Sequence, residues 1–153
     1  MKGKAVSQSR TTMTEVVLPN DANVHGTILG GKVMHLMDVA GAIAASRHCR
    51  RPVVTVLVDS VHFRHPIRVG QLIHLEAVVT RAFHTSMETE VEVFSEDPLT
   101  GERIKTSVAF LTFVGIDVKG RPTKVAPVLA ETDDERRRYR EALRRRRRRL
   151  EKA

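Results

Sequence analysis

Residues 32–49 read KVMHLMDVAGAIAASRHC. Val33, Met34, Leu36, Met37, Val39, Ala40, Ala42, Ile43, Ala44 and Ala45 leave no wide polar face on a helix drawn through this stretch. A helix that is apolar all round is a buried helix. Basic residues collect at its C-terminal end, at Arg47, His48 and Arg50, as the helix dipole favours. Pro52 disfavours further helix at the residue before it.

On either side the period changes. Residues 13–18 (MTEVVL) read as a short strand, and residues 19–23 (PNDAN) as a loop. After the helix, residues 53–63 (VVTVLVDSVHF) are β-branched and apolar on both faces, the pattern of a central strand. Residues 72–83 and 104–118 are further long strands. In residues 87–94 (METEVEVF), Met87, Thr89, Val91 and Val93 alternate with Glu88, Glu90 and Glu92, so one face is apolar and the other acidic. Short turns between the later strands imply antiparallel neighbours. One strand, one buried helix and four long strands give an α+β fold in which an antiparallel sheet wraps around a central helix. Residues 1–12 are expected to be flexible, 13–130 to form the domain, and 131–153 to form an Arg-rich C-terminal helix or tail. Thr132 to Glu135 make a T-x-x-E capping box for that helix. Few apolar residues follow (Tyr139, Ala142, Leu143, Leu150), so a thin seam is expected to dock it, with the rest in water.

The 153 residues suit one domain plus a tail. A single cysteine, Cys49, excludes an intrachain disulfide and a Cys-rich zinc module. No run of 18 apolar residues would span a membrane. The first 13 residues have no apolar core of a signal peptide. A reducing cytoplasmic location is expected. The net charge of +8 resembles a nucleic-acid binder, but residues 131–153 hold 11 of the 26 Lys+Arg and 6 of the 18 Asp+Glu, which is +5 of that +8. No recognition motif accompanies the run Arg144 to Arg149, so a solvated helix end is preferred to a nucleic-acid site.

Asp38 stands out inside the apolar helix. Burying a carboxylate costs several kcal/mol unless it is paired, so Asp38 is either a structural acceptor or an acid/base group. Ahead of the helix lie Asn23, His25, Gly26, Gly30 and Gly31. Glycines at a helix N-terminus let backbone N–H groups approach an oxyanion or a phosphate, though they also serve ordinary turns. Residues 26–32 satisfy G-x-x-x-x-G-K, but Val33 replaces the magnesium-binding Ser or Thr and no apolar strand precedes, so a P-loop is rejected. The seven histidines show no metal-ligand spacing, and neither a metal nor a cofactor is expected.

Residues 19–26 (PNDANVHG), 30–45 (GGKVMHLMDVAGAIAA), 47–49 (RHC), 58–63 (VDSVHF), 66–70 (PIRVG), 85–88 (TSME) and 127–139 together resemble the hotdog-fold acyl-CoA thioesterases, above all the bacterial YciA-like type and the paired domains of the mammalian cytosolic acyl-CoA hydrolases. The resemblance implies a hotdog fold and hydrolysis of fatty acyl-CoA to free fatty acid and CoA. It implies a homo-oligomer with a dimer as its unit, commonly a trimer of dimers. It places Asp38 as general base or nucleophile and Asn23 as a second catalytic residue supplied by the partner subunit. The Gly31 N–H then polarises the thioester carbonyl, with His25 nearby. Gly30, Ser60, Arg64, Arg68 and Ser86 are the candidate substrate-binding residues. A non-catalytic acyl-CoA-binding protein of the same fold, or nucleic-acid binding through the arginine tail, are the alternatives.

Overall fold

The structure is a computed structural model, and it describes residues 1–152. Strand β1 is Lys4–Ala5, followed by a single 3-10 turn, and strand β2 is Thr11–Val16. The long helix α1 spans Gly30–Cys49. Strands β3 (Val53–Asp59), β4 (Leu72–Ala82), β5 (Ser86–Glu96) and β6 (Arg103–Gly115) follow, then β7 (Val128–Leu129) and helix α2 (Asp133–Lys152). Five strands form one antiparallel sheet in the order β2-β4-β5-β6-β3, and its concave side packs on α1. This is the α+β hotdog architecture expected of the sequence.

The core lies between α1 and the sheet. Val33, Leu36, Met37, Ala40 and Ala44 of the helix meet Leu75, Ala77, Val91, Leu111 and Phe113 of the strands. At Gly41 a Cβ would stand 2.9 Å from the Phe113 ring and 3.0 Å from Thr89 Oγ1, so the glycine sets how closely helix and sheet approach. The alternation of β5 is as expected on its inner side: Met87, Thr89, Val91 and Val93 are buried.

Two expectations are corrected and a third is qualified. First, β3 is an edge strand and not a central one. It is apolar on both faces, yet Val54, Val56, Leu57 and Val58 are exposed, Val56 by 54%. One side of α1 is open next to it, where Met34 and His35 are exposed and Asp38 and Val39 half-buried. Second, residues 1–12 are packed. Lys4–Ala5 pair in parallel with Val128–Leu129, Val6 is buried, and Ser9 Oγ accepts the Val79 N–H at 2.9 Å. The sequence hides this because the packing relies on one valine and on hydroxyls that serve the backbone.

Third, α2 is exposed along much of its length, as expected, but charge as well as its apolar seam docks it. The Thr132–Glu135 capping box forms, with Glu135 N–H donating to Thr132 Oγ1 at 3.0 Å. Beyond it, the helix lies on the outer side of the sheet and is fastened by arginines. Arg138 pairs with Glu90 at 2.7 Å and Glu92 at 3.4 Å. Arg145 grips Glu88 with two bonds, Nε to Oε2 at 2.9 Å and Nη2 to Oε1 at 2.8 Å, and lies 3.6 Å over the Phe110 ring. Arg149 reaches Asp59 at 3.3 Å. Glu88 is 1% exposed, and the Thr80 hydroxyl also donates to it at 2.6 Å. Burial pushes the Glu90 carboxyl above its usual range, and Arg138 only partly offsets this. The apolar seam is real but narrow: Ala142 is fully buried, and Tyr139 stacks under Arg81 at 3.9 Å.

His48 closes the far end of α1. Its Nε2 lies 2.7 Å from the Ala126 carbonyl, while Nδ1 is buried without a partner among the described residues. Burial lowers its pKa from the ordinary 6.5; the Ala126 carbonyl raises it back in part and Lys4 lowers it further. A proton on Nδ1 would be a buried donor with nothing to accept it.

Two stability measurements test these readings. Arg145→Met strands the buried Glu88 carboxylate and is expected to destabilise the fold by about 3–5 kcal/mol in urea unfolding; a loss under 1 kcal/mol would show that the pair is dispensable. For His48, the unfolded chain takes up a proton below about pH 6.5 while the folded one resists until lower pH. Stability is therefore full above that pH and declines as pH falls through the window beneath it. His48→Gln should flatten that part of the urea midpoint profile, and an unchanged slope would reject His48 as its source.

Candidate active site

Asp38 sits on the side of α1 that faces β3. The Thr55 hydroxyl donates to its Oδ1 at 2.6 Å. Thr55 faces the helix at a place where the pairing of β3 with β6 shifts register between Thr55 and Leu57. Such bulges re-aim side chains. The second carboxylate oxygen takes no hydrogen bond among the described residues, and Asp38 is half-buried rather than sealed. A carboxylate with one oxygen tied and one free can accept a proton from water at a fixed place.

The start of α1 forms a second element. No side chain caps it, and a Cβ at Gly31 would meet nothing within 4 Å. The Lys32 and Val33 N–H groups donate to the Leu29 carbonyl, which leaves the Gly30 and Gly31 N–H groups at the positive end of the dipole without a backbone partner among the described residues. Gly30 lies under the Phe63 ring, beside a pocket of about 340 Å³ lined by Ile28, Val33, Phe63, Arg64 and Pro66 among others. Gly31 and Asp38 are seven residues apart on one helix, about 10 Å along its axis. A small reacting carbonyl does not reach both within one chain.

Asn23 shapes the loop in front. Its Oδ1 accepts from the backbone of His25 at 2.9 Å and of Thr27 at 3.2 Å, and its Nδ2 donates to Thr27 Oγ1 at 2.9 Å. Gly26 supplies the left-handed conformation, φ +77°, that the turn needs. His25 is exposed on this turn, and no hydrogen bond of Asn23 runs to Asp38.

The remaining candidates divide between two places. Arg64 lines the pocket at Gly30, and Arg68 bridges the Asn23 turn through its pairing with Thr27. Ser60 and Ser86 lie instead beside α2. Ser60 holds φ +44° and bonds Asp59 at 3.3 Å, while Ser86 accepts from Arg146 at 3.4 Å. Among the described residues no group of three or more His, Cys, Asp or Glu could hold a metal ion. Among the described residues no helix is long and apolar enough to cross a membrane.

This combination of a helical carboxylate, an open helix N-terminus and a wrapped sheet coincides with a family match. Residues 25–102 match the Thioesterase superfamily. The chain belongs to that superfamily. It is 43% identical over 128 residues to the uncharacterized acyl-CoA thioester hydrolase YkhA of Bacillus subtilis, covering 84% of this chain and 74% of that protein. It is also 37% identical to the cytosolic acyl coenzyme A thioester hydrolase of Rattus norvegicus, but spans only 36% of that longer protein. An apo-hexameric acyl-CoA thioesterase superposes with a TM-score of 0.96 at 41% identity, over 99% of this chain and 97% of that one. The acyl-CoA hydrolase of Staphylococcus aureus, solved with butyryl coenzyme A, coenzyme A and coenzyme A disulfide, superposes with a TM-score of 0.88 at 35% identity, over 97% and 93%. Further structures of that hydrolase replace single aspartate, asparagine and threonine residues by alanine.

Thr55 was not among the residues expected from sequence. Its signal is nonetheless there: it is the one hydroxyl in the apolar run 53–58 (VVTVLV), on a strand beside the helix that carries the lone acid.

Proposed function

We propose that this chain hydrolyses fatty acyl-CoA thioesters to the free acid and CoA. The observation that carries the reading is the Thr55–Asp38 hydrogen bond, which fixes a carboxylate with one free oxygen on the open side of an apolar helix. Asp38 acts as general base. It takes a proton from water as the water oxygen adds to the thioester carbonyl. The oxyanion that forms is met by the N–H groups at Gly31 and the helix dipole. The C–S bond then breaks, and CoA leaves as a thiolate that recovers the proton from Asp38. Thr55 is a positioning residue, because it acts through Asp38. The Staphylococcus aureus variants concern the same three residue types as Asp38, Asn23 and Thr55, which supports the assignment.

The 10 Å between Gly31 and Asp38 favours a site shared by two copies, with Asp38 from one and the Gly31 and Asn23 region from the other. His25 lies on the same turn as Asn23. The exposed apolar edge of β3 is where copies pair, since an unpaired edge of this length and character otherwise invites aggregation. We place the dimer so formed within a trimer of dimers, in keeping with the hexameric relative. Gly30 borders the acyl chain; Arg64 at the pocket, Arg68 beside the Asn23 turn, and Ser60 and Ser86 farther out meet the CoA. A cytoplasmic setting accords with the rat relative's name.

Thiol release from a panel of acyl-CoAs, from acetyl to palmitoyl, is the direct test. Asp38→Asn is expected to keep the fold and lower kcat about 10²- to 10⁴-fold; a variant as active as wild type would end the proposed mechanism. Thr55→Val should lower kcat about 10- to 100-fold, the value of a hydrogen bond to a charged group, whereas Thr55→Ser should retain most activity. Val56→Lys at the β3 edge should give monomers by light scattering and lose activity in proportion. Active monomers would refute the shared site.

A further inference from the structure

Six consecutive arginines, Arg144 to Arg149, do not all have the same task. Arg145 is engaged by Glu88 and Arg149 by Asp59. Arg144, Arg148 and Lys152 have no carboxylate within ion-pair distance among the described residues, and all three are exposed. Spaced four apart, they share one face of α2. They line a groove of about 520 Å³ whose opposite wall is Asp59, Ser60 and Phe110. That volume falls in the range of small-molecule sites. The two acids that border it are already engaged, Asp59 by Arg149 and Glu141 by Arg137. Three positive charges therefore remain in the groove without compensation. Like charges at this spacing destabilise a helix, and an anion in the groove offsets that repulsion.

We propose that this groove binds the phosphate-bearing nucleotide end of coenzyme A, with Arg144, Arg148 and Lys152 as its phosphate contacts. The inference rests on the thioesterase reading for the identity of the polyanion. It goes beyond it in assigning recognition to the arginine helix. Two features favour a small phosphate ligand over a long nucleic acid. Arg144, Arg148 and Lys152 face a bounded groove rather than a flat surface, and one wall carries Ser60, a non-glycine residue held at φ +44° directly after β3. Strain of this kind gathers at ligand sites. The groove also lies at the far end of the strand that carries Thr55, five residues and about 15 Å along β3. Guanidinium groups bind phosphate with paired N–H donors, and their planes stack on aromatic bases.

The test compares acyl-CoA with the matching acyl-pantetheine thioester, which lacks the nucleotide. R144E/R148E changes two exposed side chains outside the pairs that dock α2. It is expected to raise KM for acyl-CoA about tenfold at unchanged kcat. Its kinetics on acyl-pantetheine should match wild type, which also reports an intact fold. R144Q/R148Q should shift KM the same way by less. An unchanged KM for acyl-CoA overturns the groove assignment, as does loss of RNA-oligonucleotide binding in R144E/R148E at unchanged KM. If wild type hydrolyses neither thioester, the enzymatic reading fails on its own. Calorimetric titration with CoA then decides the groove: weaker binding by R144E/R148E upholds it, and equal binding overturns it.

Discussion

One curved sheet of five strands cannot enclose a helix that is apolar on every side, and the rest of this molecule follows from that mismatch. Strands β2, β4, β5 and β6 cover the side of α1 bearing Val33, Leu36, Met37, Ala40 and Ala44. The side bearing Met34, His35 and Asp38 remains open beside β3. The sheet also ends there, on a strand with four exposed aliphatic residues and a free row of backbone groups. Unsatisfied apolar area and unsatisfied pairing thus coincide at one margin, and the proposed pairing with a second copy of the chain would supply both. The carboxylate belongs at this margin for the same reason. Deeper in the core it would bear the full cost of desolvation, and on a solvated face it would not be held still.

The outer side of the sheet meets a different constraint. Glu88, Glu90 and Glu92 form an acidic row on a face too polar to pack against an ordinary amphipathic helix. Helix α2 answers with charge. Arg138, Arg145 and Arg149 are spaced seven and four apart, so helical geometry brings them to one face against the acids and Asp59. A buried ion pair of this sort adds little over a hydrophobic contact of equal size. It is selective, however, because only a helix with cations in that spacing satisfies Glu88, whose Oε1 already takes the Thr80 hydroxyl.

Much of this was legible in the chain. The period change after Cys49, the alternation in β5 and the capping box at Thr132 each rest on local geometry, and each is found in the structure. The placement of β3 was not legible, because apolarity on both faces is the mark of a central strand and equally of an edge strand covered by another copy. Sequence period reports burial, not who provides it. Thr55 escaped because its role depends on a cross-element meeting with Asp38 that no spacing along the chain encodes. The packing of residues 4–12 escaped because it uses backbone bonds and the Ser9 hydroxyl, which leave no hydrophobic pattern.

The arginine run shows how far composition can mislead. As a string, Arg144 to Arg149 is a uniform basic block that invites a single reading, either solvated or nucleic-acid binding. Wound into a helix, neighbours in sequence diverge by about 100°, so the block separates into faces with different electrostatic surroundings. Arg145 and Arg149 meet carboxylates and are spent on holding the helix down. Arg144 and Arg148 meet none, and they stand over a groove whose other wall follows the strand of Thr55. The +5 of the tail is therefore a poor guide to its partners. What matters is the charge left after the docking pairs are formed, and three of the unpaired cations, Arg144, Arg148 and Lys152, line one groove of about 520 Å³. A field focused in this way attracts a compact polyanion more strongly than the same charges spread along a solvated helix would.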